Sequence, residues 1–140
     1  MEERIDDRAH TATLRKVTLH AARSKEFPDG SIRHGYDFIA PLTEEGRIDL
    51  DAWKAHRGEC FAHRFWANEP SMQGLLVHRA GGLGGSTWTF EWKGAKGAGA
   101  IDEDEGYRFA DHLFTVGEYV SVREPEGPLL TFRVVNVGKP

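Results

Sequence analysis

The chain has 140 residues, with 18 Lys and Arg against 22 Asp and Glu, a formal net charge of −4. That length suits one domain around a single core, and the acidic balance excludes the global positive field of a non-specific nucleic-acid binder. Trp, Tyr and Phe, at 4, 3 and 8 residues, supply the large buried areas that a chain of modest aliphatic content needs to fold.

The first stretch, residues 1–11, is charged and aperiodic and is expected to be a mobile arm ahead of one β-rich domain over 12–140. Its start, Met-Glu-Glu-Arg-Ile-Asp-Asp-Arg, lacks the apolar core of a signal peptide. Nowhere do 18 apolar residues run together, so no membrane span is expected. The single cysteine, Cys60, excludes an intramolecular disulfide and fits a reducing compartment. A cytoplasmic protein is the expectation.

From Thr13 to Ala22 apolar and polar residues alternate, with Val17, Leu19 and Ala21 on one side, as a strand requires. Pro28-Asp29-Gly30 reads as a turn, and Tyr36 to Ala40 as a second strand closed by Pro41. A short helix is predicted near 49–57, capped by Asp49, ended by Gly58 and docking Trp53 on the sheet. Strand patterns resume at 59–66, 74–79, 86–92, 107–109, 117–123 and 129–135. Trp88, Phe90 and Trp92 alternate with polar residues and are expected inside.

The last pair of strands places Val120, Val122, Leu130, Phe132 and Val134 inward across a turn at Glu124-Pro-Glu-Gly127. The doublet Val134-Val135 breaks the alternation, marking either a bulge or a strand covered on both faces. Segment 94–105, from Gly94 through the acidic run Asp102-Glu-Asp-Glu105, is predicted as a solvated loop. About eight short strands and one short helix imply a mainly β fold, a small antiparallel β-barrel or a strongly curled sheet.

Chemistry-bearing motifs are sparse. The cluster Gly81-Gly-Leu-Gly-Gly-Ser-Thr87 lies between two strand patterns, without the helix and lysine a phosphate loop needs, and reads as a hairpin loop. His56, Cys60 and His63 have metal-ligand chemistry but share a face only on a helix, which Gly58 and the β-like run after it oppose. Asp111-His112 has no nucleophile elbow beside it.

One register of strands 59–66 and 74–80 sets His63 opposite His78, on one face; the adjacent register separates them. Arg and aromatic residues interleave at His63-Arg64-Phe65-Trp66, Tyr107-Arg108-Phe109 and Phe132-Arg133. Simple alternation turns these aromatics inward and the arginines to water.

The ligand-binding candidates are therefore His63, Arg64, Trp66, His78, Arg79 and His112, with no catalytic set, no metal set and no cofactor motif. The leading expectation is a non-enzymatic binding or protein-interaction module, self-associating through an exposed sheet edge as a homodimer. A nucleic-acid-binding barrel using the Arg–aromatic pairs, and a His-based metal-binding or enzymatic barrel, are the alternatives.

Overall fold

The computed structural model describes residues 12–80, 86–93, 103–107, 109–123 and 128–140. Eight strands run β1 Thr13–Ala21, β2 Ser31–Leu42, β3 Phe61–Trp66, β4 Glu69–Ala80, β5 Ser86–Trp92, β6 Glu103–Tyr107, β7 Tyr119–Arg123 and β8 Leu129–Gly138. Each pairs antiparallel with the next, and β8 returns to pair with β1, so the sheet closes into an up-and-down barrel. The mainly β barrel expected from period-two patterning is the observed fold. Closure pairs each described strand on both sides.

The inward positions follow the alternation. Val17, Leu19 and Ala21 on β1, Tyr36, Phe38 and Ala40 on β2, and Trp88, Phe90 and Trp92 on β5 are all buried. So are Val120, Val122, Leu130, Phe132 and Val134. The Val134-Val135 doublet is a bulge: Thr18 pairs with Asn136 and Leu19 with Val134, leaving Val135 as the extra residue.

Several boundaries differ from the sequence reading: β2 and β4 each begin five residues earlier than expected, and β2 continues through Pro41 to Leu42. The strand expected at 107–109 lies earlier, at Glu103–Tyr107, so most of the acidic run is in β6 rather than in a loop. Backbone pairing to β5 and β7 does not depend on side-chain polarity, and the barrel needs that strand to close. Residues 109–111 instead form a short 3-10 turn whose Phe109 ring packs over the bare backbone of Gly106. The arm at 1–11, the glycine loop at 81–85, the loop at 94–102 and the turn at 124–127 lie outside the described residues.

Helix α1, Leu50–His56, begins as expected: Asp49 Oδ1 accepts a hydrogen bond from the Ala52 N–H at 2.9 Å. It ends through a 3-10 turn at Arg57–Glu59 rather than by a left-handed glycine, since Gly58 has no positive φ. Trp53 is buried against the sheet, and its Nε1 donates to the Leu76 carbonyl at 3.0 Å.

Connections of an up-and-down barrel alternate between its two ends. Residues 22–30 and the two-residue turn Ala67-Asn68 lie at one, here called the hairpin end; Asn68 takes φ +69°, which Asn tolerates better than most residues. Helix α1 and residues 109–118 lie at the other, the helix end. There Trp53, Phe109 and Phe114 form an apolar plug, with Phe109 and Phe114 rings edge-to-face at 5.1 Å.

Candidate functional site

The functional geometry starts from β3, where the expected facing is reversed. Phe38 pairs with Ala62 and Tyr36 with Arg64, so the even residues of β3 point inward. Arg64 is therefore buried, only 8% exposed, while Phe61, His63 and Phe65 point outward. The reason is packing. Cys60 and Ala62 are the small side chains that fit beside the crowded Phe38–Phe90 pair, whose rings lie 5.2 Å apart, and keeping them inside fixes the facing of the residues that follow. Phe65 then lies across the bare backbone of Gly35, where a Cβ would collide with the Leu19 carbonyl, and meets the His20 ring edge-on at 5.9 Å.

On the outer surface the registers align Thr18, Asp37, His63 and Gln73 in one row across β1 to β4. Thr18 Oγ1 donates to Asp37 Oδ1 at 2.7 Å, and His63 Nδ1 lies 3.5 Å from Asp37 Oδ2. A carboxylate only accepts, so this contact favours the tautomer with its proton on Nδ1 and leaves Nε2 as the acceptor. The His63 ring is also held by Phe65 at 5.8 Å. Asp37 and His63 border a hollow of about 300 Å³, whose other lining includes Lys16, Ile39, Gln73 and Phe61, itself 54% exposed. An apolar floor with convergent polar groups is the form a small-ligand site takes.

Inside the hairpin end, Arg64 lies over the Trp66 ring at 4.1 Å and donates to Glu69 Oε1 at 3.2 Å, with the Met72 sulfur 4.0 Å away. His34 packs edge-on to Trp66 at 4.8 Å and against Phe27 at 4.7 Å, and its Nδ1 is 2.7 Å from Ser31 Oγ. Burial, and then the charges of Arg33 and Arg64, hold the His34 pKa below its ordinary value against an opposing pull from Glu69.

The remaining candidates are dispersed. His63 pairs with Gln73, not His78, and His78 shares the inward parity of Leu76, so the two histidines occupy opposite faces. His78 packs on Trp88 at 4.6 Å and Trp53 at 6.0 Å, and burial followed by Lys54 lowers its pKa. Arg79 crosses the outer face of β4 and β5 to Glu91 at 2.6 Å. His112 follows the 3-10 turn, its N–H directed to the Phe109 carbonyl at 3.3 Å.

The His56, Cys60 and His63 set is likewise split. His56 is exposed on α1, Cys60 is buried with its Sγ 3.4 Å from the His56 carbonyl, and His63 faces outward. Burial, with Glu59 adding to it, pushes the Cys60 thiol up to about 11, so it is a poor nucleophile. Among the described residues no three His, Cys, Asp or Glu side chains converge as a metal site, and no helix there is long and apolar enough to cross a membrane.

Of the six sequence candidates, the structure therefore unites Arg64 with Trp66 and places His63 at the rim of the outer hollow. Sequence reasoning missed Lys16, Thr18, Asp37 and Gln73. The signal for two of them was present: Thr18 and Asp37 are polar residues at mid-strand, on the face opposite the apolar set. His34 and Glu69 carried no such mark, because they lie near the starts of β2 and β4, before the apolar patterning of those strands begins. Comparison with protein families, with curated proteins and with solved structures finds no match for this chain.

Proposed function

We propose that the protein is a non-enzymatic binding module that takes up a small, flat molecule in the outer hollow between β1 and β4. The observation that carries the reading is Phe61. It is a large apolar side chain 54% exposed, beside an Asp37–His63 pair ordered by Thr18, at the rim of a concavity. Phe61 offers a ring to stack on, Ile39 an apolar wall, and Lys16, Asp37, His63 and Gln73 offer donors and acceptors for a polar edge. The volume, about 300 Å³, lies at the small end of ligand pockets.

The outward Phe61, His63 and Phe65 stripe also suits stacking of unpaired bases. The net charge of −4, with Asp37 at the centre of the row, favours a small neutral heteroaromatic molecule over a polyanion. Saturation-transfer NMR with adenine, nicotinamide and caffeine as probes tests the reading. Binding of at least one is expected, weakened roughly tenfold or more by Phe61→Ala and by His63→Ala, as for a pocket anchored by few groups. Equal binding by the wild type and both variants, or none of the probes binding, overturns it.

A further inference from the structure

The register of the sheet arranges the wall of the outer hollow in successive pairs. Phe61 stands opposite Leu75, and the next pair on the same outward face of β3 and β4 is His63 opposite Gln73. Such partners hold their Cβ atoms roughly 5 Å apart, so one small molecule can touch both side chains of a pair. Lys16 reaches the same hollow from β1, where its register partner is Ile39 of β2.

These groups differ in what they offer a ligand. The Asp37 carboxylate is engaged on both oxygens, by Thr18 at 2.7 Å and by His63 at 3.5 Å. With the proton of the neutral ring drawn to Nδ1, His63 has one open nitrogen, Nε2, and it accepts. Gln73 and Lys16 are exposed, and among the described residues neither side chain is taken up by a hydrogen bond or an ion pair. The Gln73 amide has two N–H donors, and the Lys16 ammonium donates and never accepts. The hollow therefore presents a donor, an acceptor and a second donor. Their complement is a planar edge that reads acceptor, donor, acceptor: an N–H flanked by two carbonyls, which is a cyclic imide. Such a group is neutral, as the balance of Lys16 against Asp37 asks, and its flat ring suits the half-exposed face of Phe61.

We propose that the hollow selects cyclic imides, the imide N–H donating to His63 Nε2, one carbonyl accepting from the Gln73 amide and the other from the Lys16 ammonium. This assignment rests on the hollow being the binding site, and adds which chemical edge is read there.

The isomers 1-methyluracil and 3-methyluracil separate the edge from the ring, since the first keeps the imide N–H and the second carries a methyl group in its place. Both are titrated into the intact chain by ¹H–¹⁵N NMR at about pH 8, above the range in which an ordinary imidazole is protonated. The 1-methyl isomer is expected to bind about tenfold more tightly, because the other leaves Nε2 unpaired. Phe61→Ala is expected to weaken both isomers. Gln73→Leu and Lys16→Met, at exposed positions, are each expected to weaken 1-methyluracil about threefold or more. Equal affinity for the two isomers, or an affinity for 1-methyluracil untouched in either Gln73→Leu or Lys16→Met, overturns the imide assignment and leaves the hollow as a stacking site. Binding of neither isomer overturns it as well. Adenine, nicotinamide or caffeine binding would then keep the hollow as a site for a different edge, and their failure would remove the hollow too.

Discussion

The two ends of this barrel are closed by opposite chemistry. At the helix end, Trp53, Phe109 and Phe114 make an apolar plug, and the buried polar atom of Trp53 is satisfied. At the hairpin end, the buried Arg64 lies over the Trp66 ring and the Trp92 indole N–H has no hydrogen-bond partner, so a charge and an orphan donor enter the same closed sheet. Burying apolar surface needs no further partner, whereas buried polar groups are retained at a cost that packing alone does not explain. The contrast separates an end closed by apolar rings from an end that buries polar groups.

The largest expected effect follows from that contrast. Trp53→Ala removes the plug and is expected to cost about 3–5 kcal/mol, in the range for emptying a buried aromatic site. Arg64→Met keeps a long apolar stem, and Glu69, being half-exposed, is left in water rather than buried alone. Its cost is expected to stay below about 1.5 kcal/mol, because replacing a buried ion by a hydrophobe of similar length is often neutral. Guanidinium denaturation of both variants measures the difference. Equal losses would make the hairpin end a structural plug like the other.

A smaller effect sharpens the comparison through pH. His34 at the hairpin end and His78 at the helix end both have pKa values below the ordinary 6.5, chiefly from burial. The unfolded chain therefore binds more protons than the folded one as pH drops past 6.5, so stability is complete above that value and declines below it. Arg64 is one of the charges holding His34 down, while Lys54 acts on His78. In Arg64→Met, ring-proton NMR is expected to show His34 titrating nearer its ordinary value and His78 unchanged. An unmoved His34 would detach it from the arginine.

Much of this fold was legible because period-two burial is a strong constraint. Val17 through Ala21, Trp88 through Trp92 and Val120 through Val134 face inward as their alternation requires, and Asp49 caps α1 as its position requires. The register was not legible. Whether His63 meets His78 or Gln73 depends on where the Ala67-Asn68 turn falls, and the start of β4 at Glu69 carries little apolar patterning. The facing of β3 was misread for a related reason. In Phe61-Ala-His-Arg-Phe-Trp66 both parities contain aromatic residues, so hydrophobicity alone does not choose between them, and the small Cys60 and Ala62 decide. The outer site was hidden because its row crosses four strands, which only the pairing brings together.

Everything proposed for the outer hollow depends on that reversed strand, and cysteine scanning of β3 tests it directly. Cys60 is buried with a thiol pushed up to about 11, so the native background is slow toward thiol reagents. With Phe61→Cys, His63→Cys and Phe65→Cys reacting fast, and Ala62→Cys and Arg64→Cys protected until the chain unfolds, the arginine is inside and the aromatic stripe outside. A labile thiol at 64 flanked by protected thiols at 63 and 65 would contradict the account.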